Sequence, residues 1–172
     1  MRKSTTIALI TTGLVALGCS SGGTDSAVGS GSAGDDKKAT VAKVGEPARD
    51  GKFEFTVKSS KCGVAKVGTD LLGQKAQGQF CLVTLNVKNI GKEAQMFDGS
   101  SQKAYAADGT EYSADGAAAM YANKNAETFL NDINPGNQVT GVLVFDIPKN
   151  VKLAKLELHD SPFSGGIDVT LG

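Results

Sequence analysis

From about residue 45 onward the chain alternates apolar and polar positions in short runs. Phe53, Phe55 and Val57 are interleaved with Lys52, Glu54, Thr56 and Lys58. Cys81, Val83, Leu85 and Val87 alternate with Leu82, Thr84, Asn86 and Lys88. A third run, 138–147, carries Val142, Val144 and Ile147 together with Val139, Leu143 and Phe145. Leu153, Leu156 and Leu158 make a fourth, and Ile167, Val169 and Leu171 close the chain. A period of two sends successive side chains to opposite faces, so each run predicts a strand with one face in a core. Asp-Gly at 50–51, 98–99, 108–109 and 115–116 supplies the left-handed backbone that tight hairpins need, and Asp108-Gly109 between Tyr105 and Tyr112 is the clearest hairpin. Pro135-Gly136 sets a turn before the third run, and Ala117–Leu130, rich in helix formers, predicts a helical turn. No sustained helical period appears elsewhere. Seven or more short strands with regular turns predict an all-β, antiparallel β-sandwich.

The first residues follow a different pattern. Arg2 and Lys3 precede an uncharged run from Thr5 to Gly18 that holds Ile7, Leu9, Ile10, Leu14, Val15 and Leu17. That suits the apolar region of a signal peptide and is shorter than the ~20 residues of a membrane span. Gly18-Cys19 and the Ser/Gly stretch behind it resemble a bacterial lipobox, with Ala16 where that motif usually has Leu. The resemblance implies cleavage before Cys19 and a diacylglycerol on its sulfur; more than one chain or signal is what stable anchoring requires. Residues 20–45 are mostly Ser, Gly, Ala, Asp, Lys and Thr and bury too little apolar surface to fold, which predicts a flexible tether. Gly29–Gly34 spells G-x-G-x-x-G, but without a strand before it or a helix after it the match is chance. The expected organisation is therefore a signal peptide at 1–18, a lipidated Cys19 and linker to residue 44, and one β-domain over 45–172.

Charge narrows the partners. Eighteen basic and eighteen acidic residues balance over the whole chain, and loss of Arg2 and Lys3 turns the remainder slightly acidic. No basic patch stands out, which argues against nucleic acid. The location implied by Cys19 also bears on the other two cysteines. Cys62 and Cys81 are an even pair in an oxidising compartment, so a structural disulfide is expected, joining one strand region to the next or bridging the two sheets. Their spacing is not Cys-x-x-Cys and no histidine lies near them, which disfavours redox or metal chemistry.

Three segments carry a family resemblance. Asn86-Val87-Lys88-Asn89-Ile90-Gly91-Lys92 ends a strand as many extracellular immunoglobulin-like modules do. Residues 133–148, from Ile133-Asn134-Pro135-Gly136 to Asp146-Ile147-Pro148, and the ending Leu156-Glu157-Leu158-His159-Asp160 resemble the bacterial DUF4352 family over roughly 44–171. The resemblance implies an MPT63-like, immunoglobulin-like sandwich and brings no catalytic residues with it. Together with the lipobox and tether it implies an actinobacterial cell-surface lipoprotein.

Four constellations invite chemistry. Ser100-Ser101-Gln102-Lys103 fits S-x-x-K, yet the chain has no Lys-Thr-Gly element and the segment leads into an expected strand. His159, the one histidine, stands beside Asp160 with no nucleophile nearby in sequence, and reads as a structural or surface residue. Asn131–Asn137 is rich in oxygen ligands that calcium would accept, but its spacing is not that of an EF-hand and the same residues make turns. Tyr105, Tyr112, Tyr121, Phe129 and Phe163 read as core or hairpin residues, or as an exposed aromatic edge. The expectation is thus a non-enzymatic binding module without a cofactor or metal. It would sit on the extracellular face of the cell membrane and bind a surface protein, a wall polymer or a small ligand. The alternative is a small-ligand or metal carrier near a transporter. Recognition is expected on the loops Gly99–Lys103 and Ala117–Asn137, because a rigid sandwich presents its loops.

Overall fold

The structure is a computed structural model that describes residues 41–125 and 128–172. The signal peptide, Cys19 and most of the tether lie outside the described residues. Two sheets face each other. One contains β2 (Pro47–Asp50), β3 (Phe53–Gly68), β4 (Gly73–Asn89) and β9 (Gln138–Ile147) in that order. The other runs β1 (Ala42–Lys43), β11 (Ile167–Thr170), β10 (Leu153–Leu158), β6 (Lys103–Ala106) and β7 (Glu111–Ser113). A short pair, β5 (Gln95–Met96) with β8 (Asp132–Ile133), closes one side. All pairings are antiparallel except β1 with β11, which is parallel and draws residues from the expected linker into the sheet.

The alternation read from sequence fills the space between the sheets. Phe53, Phe55 and Val57 of β3, Cys81, Val83, Leu85 and Val87 of β4, and Leu143, Phe145 and Ile147 of β9 meet Ala104, Leu156, Leu158 and Val169 from the opposite sheet. The apolar run of β9 has no polar face because both its faces are covered. Val144 packs with Phe80, Val67 and Ala118 in a second, smaller core outside the four-stranded sheet. Helix α1 (Gly116–Ala122) covers that outer core, so the helical turn expected within 117–130 occupies its first half.

The four Asp-Gly pairs divide by role. Gly51 (φ 52°) and Gly109 (φ 85°) make the β2–β3 and β6–β7 hairpin turns. Asp98 and Asp115 instead cap short helices: their carboxylates accept from the backbone N–H of Ser100 and Ala118, both at 2.8 Å. A side-chain acceptor three residues or fewer before free N–H groups stabilises a helix start as readily as it does a turn, so the dipeptide alone does not distinguish them.

β3 and β4 continue beyond the alternating segments as one long hairpin. Their outer halves, 59–68 and 73–80, are rich in Ser, Lys, Gly and Gln because the hairpin leaves the sandwich core there. The disulfide lies in this hairpin. Cys62 is bonded to Cys81, linking adjacent strands of one sheet and not bridging the two sheets. A bulge between Lys61 and Val64, with Gly63 at φ 86°, allows solvent-exposed Cys62 to meet fully buried Cys81. Closing a loop of this length stabilises by about 3 kcal/mol in the chain-entropy model. Cys62→Ser is therefore expected to lower unfolding free energy by that amount in non-reducing denaturant titration. Equal stability of variant and parent would refute a stabilising role.

Candidate binding cleft

Three features converge beside the free edge of β9. The 3-10 turn η1 (Gly99–Ser101) follows β5, helix α1 follows β7, and the segment around Phe129 leads into β8. Asn123 at the end of α1 fixes that edge. Its amide donates to Val142 O (2.9 Å) and to Ala119 O (2.8 Å), and its Oδ1 accepts from Val142 N–H (2.8 Å). Asp115 N–H donates to Val144 O at 2.7 Å, and Asp115 Oδ2 accepts from Gln74 Nε2 at 2.8 Å. The helix caps thus occupy backbone groups that an exposed edge strand would offer to another chain.

Between these elements lies a cleft of about 390 Å³. Phe97, Phe129, Leu143 and Ala119 line it, and Met96, Met120 and Leu130 stand exposed at its mouth. Its volume lies within the range of small-molecule sites, which are mainly apolar with few polar groups. Phe97 forms the floor. It lies edge-on to Phe129 (centroids 4.9 Å apart) and to Phe53 (6.0 Å), so the cleft wall is continuous with the main core. Gly141 permits this packing, since a Cβ there would overlap the Phe129 ring, 2.6 Å from Cε2. Asp98, Ser100, Asp115 and Asn123 supply the polar rim. Partial burial opposes ionisation of Asp98, but hydrogen bonds from Ser100 and Ser101 outweigh it and hold the carboxyl below its usual range. The rim therefore carries a carboxylate at neutral pH.

The structure joins the two loops singled out from sequence only in part. Gly99 and Ser100 from one, and Ala119, Met120, Asn123, Phe129 and Leu130 from the other, share this cleft. Lys103 does not: its Nζ pairs with Glu111 Oε1 at 2.7 Å, while Ser100 Oγ donates to Asp98 Oδ1 at 2.6 Å. The S-x-x-K serine and lysine are thus committed to different carboxylates. Met96, Phe97, Asp115 and Leu143 were not legible as site residues. Met96-Phe97, an apolar pair outside any alternating run, was the available signal.

Among the sequence-selected aromatics, Phe129 lines the cleft. Tyr121 on α1 and Phe163 in the β10–β11 loop are exposed but lie on separate elements, and Tyr105 and Tyr112 belong to the β6–β7 hairpin. Partial burial and the neighbouring Glu111 and Glu157 carboxylates push the Tyr105 hydroxyl up to about 12.

His159 is buried and has company that its sequence neighbours do not reveal. Nε2 lies 2.9 Å from Glu157 Oε1 and Nδ1 lies 3.3 Å from Ser164 Oγ. Ser164 Oγ donates to Ser161 O at 3.0 Å, which commits its proton within the loop. His159 N–H donates to Gln102 Oε1 (2.8 Å) and Gln102 Nε2 donates to His159 O (3.0 Å), extending the β6–β10 ladder by a side chain. The apolar cleft is lined by other residues.

Asn131, Asp132, Asn134 and Asn137 line a second, polar recess of about 360 Å³, to which Asp132 contributes the one carboxylate among the described residues. Among the described residues no group of three or more His, Cys, Asp or Glu side chains is placed to share a metal ion. The Pro135-Gly136 turn beside this recess is tied to the end of β4. Asn89, fully buried, donates through Nδ2 to Glu93 O and Ile133 O, both at 2.7 Å, and accepts at Oδ1 from Gly91 N–H at 2.8 Å. Its backbone N–H donates to Asn137 O (3.0 Å) and its carbonyl accepts from Gly136 N–H (2.9 Å). Two of the three signature segments, 86–92 and 133–148, are thus bonded to one another through this residue.

Comparison with known proteins agrees with this architecture. The chain is similar to MPT63, a secreted protein from Mycobacterium tuberculosis: TM-score 0.56, 17% identity, covering 76% of this chain and 95% of that one. It is similar also to the yjhA protein of Bacillus subtilis, with TM-score 0.55 and 16% identity over 77% of this chain and all (100%) of that one. A β-sandwich protein from Clostridium difficile 630 aligns with TM-score 0.51 and 14% identity, over 79% and 97% of the two chains. In sequence, the uncharacterized protein YxkC of Bacillus subtilis (strain 168) is 32% identical over 113 residues. That match spans 62% of each chain, less than two-thirds of the relative's own length. A family model described as a domain of unknown function, DUF4352, matches residues 42–169. The chain belongs to the DUF4352 family.

Proposed function

We propose that this protein is a non-catalytic binding module on the extracellular face of the cell membrane. It is held there by a lipid on Cys19, and it receives an apolar group of a surface partner in the cleft between η1 and α1. The observation that carries the binding reading is the cleft itself, an apolar recess whose mouth exposes Met96, Met120 and Leu130 to water. Flexible, polarizable methionines suit adaptable contact surfaces. The lipobox-like Gly18-Cys19 supports the anchor, and the fold is one that the secreted MPT63 also uses. A second reading, a carrier of a small apolar ligand, draws support from a volume of about 390 Å³, enough for such a molecule.

The test is photo-crosslinking on intact cells from a reactive residue at Met120, with Thr110 in the β6–β7 turn as the control position. A reproducible protein adduct at 120 that is missing at 110, and that Leu130→Glu abolishes, is the expected result. A small apolar adduct in its place would favour the carrier. Identical adducts at both positions would remove the cleft from consideration. In the same cells Cys19→Ala is expected to free the protein from the membrane fraction, and full retention would overturn the anchor.

A further inference from the structure

A second surface lies at the far end of the β3–β4 hairpin. The hairpin continues past the last rung that β4 shares with β9, Gln79 with Ile147, and turns at Thr69–Leu72. The turn holds itself in shape. Thr69 N–H donates to Leu72 O at 2.7 Å, and Leu72 N–H donates to Thr69 Oγ1 at 3.0 Å. Gly68 takes a φ of 86°, and a Cβ on Gly73 would lie 2.8 Å from Thr69 O, so both glycines are required by the tightness of the bend. This defined turn presents two leucines to water: Leu71 is 95% exposed and Leu72 69%. Burying them would recover apolar surface that folding leaves wet.

Behind the leucines stand lysines. Lys66 and Lys75 are directly opposite in register, an arrangement of like charges that weakens a hairpin unless something neutralises it. Asp70 bridges Lys66 at 3.1 Å. Lys75, and Lys61 and Lys58 farther along β3, have no ion pair among the described residues. The adjacent rung, Val67 with Gln74, faces α1, where Gln74 bonds Asp115 and Val67 packs on Ala118. Strand alternation therefore turns Lys66 and Lys75 to the open side. Apolar residues at an extremity with cations one step behind them match the layering of a bilayer interface, acyl chains below and anionic headgroups above. Exposed Phe163 has a different setting: 98% exposed, it shares a loop with Asp160, which is bonded to Asp50.

We propose that the β3–β4 hairpin tip docks on a bilayer carrying anionic headgroups, with Leu71 and Leu72 entering the interface, Lys75 contacting the headgroups, and Lys66 exchanging its solvent-exposed Asp70 partner for them. This goes beyond the cleft reading and does not depend on it. Nor does it require the lipid on Cys19, which would only raise the local concentration.

The chain contains no tryptophan, so Leu71→Trp makes a single fluorescent reporter at a position where no packing is lost. The full chain carrying it is mixed with phosphatidylglycerol–phosphatidylcholine vesicles or with phosphatidylcholine alone, each with and without nitroxide-labelled lipid. Thr110→Trp provides the control site. The expected result is a blue shift and nitroxide quenching at position 71 in anionic vesicles only, reduced severalfold by Lys66→Gln with Lys75→Gln and by added salt. Three results would overturn the proposal. One is water-like, unquenched emission from position 71 on anionic vesicles. Another is equal quenching at 71 and 110, which would mean that the anchor alone brings the domain to the surface. The third is protection of position 71 on intact cells but not on vesicles, which would assign the tip to a protein partner.

Discussion

Asn89→Leu is expected to lower the unfolding free energy by about 2–4 kcal/mol, because it orphans one buried carbonyl, at about 1–3 kcal/mol, and two half-buried groups that water satisfies in part. Leucine has the same branched four-atom side chain but is bulkier, so the change opens no cavity and reads out lost hydrogen bonds together with some overpacking. It leaves Glu93 O and Ile133 O without their amide donor and Gly91 N–H without its acceptor. Glu93 lies two residues before β5 and Ile133 lies in β8, so the loss also loosens the β5–β8 pair beside the cleft. Asn86→Leu is the matched control. Asn86 donates to Thr140 Oγ1 at 3.0 Å on the solvent side, and its removal is expected to cost less than about 1 kcal/mol. Urea titration measures both, as a shift in midpoint at constant m value. Equal, small losses at the two positions would refute the view that Asn89 joins the two loops.

Phe97→Ala is expected to cost about 3–5 kcal/mol, the range for truncating a buried aromatic. The side chain is 1% exposed and touches aromatic rings from both directions: Phe53 and Phe55 in the core, and Phe129 in the cleft wall. Phe97→Leu keeps most of the volume and is expected to lose less than half as much. The same pair of variants separates packing from binding. If the cleft receives an apolar group, Phe97→Leu at a temperature where it remains folded is expected to weaken crosslinking from position 120, because the floor drops away. A loss below about 1 kcal/mol for Phe97→Ala would show that the cleft wall and the core are mechanically separate.

The sequence alone determined which residues enter the main core. Phe53, Phe55, Val57, Cys81, Val83, Leu85 and Val87 were legible as inward positions because side-chain direction in a strand alternates locally and needs no knowledge of a partner. The hairpin turns at Gly51 and Gly109 were legible for a similar reason, since a left-handed backbone selects glycine wherever the rest of the chain lies. The cysteine pair could be inferred from number and compartment, but its geometry could not. Whether Cys62 and Cys81 cross between sheets or join neighbours in one depends on a bulge at Gly63, a property of the pairing and not of the spacing.

Tertiary structure decided the rest. Val142 and Val144 gave no sign of which core they would enter, because the second core exists only once α1 folds over the four-stranded sheet. Asp98-Gly99 and Asp115-Gly116 look the same as the hairpin dipeptides in the sequence. Asp115 became a helix cap because the helix that follows packs Ala118 against Val144 of β9, whereas Asp98 caps a 3-10 turn that buries none of its own residues. The cleft is assembled from segments that are far apart along the chain, Met96–Ser100, Ala114–Asn123, Phe129-Leu130 and Leu143, and no local pattern encodes their meeting. The physical reason is the range of the interactions. Alternation, turn chemistry and capping are settled within a few residues, whereas a concave apolar surface is defined by what fails to fill it, and that is known only after every other element has found its partner.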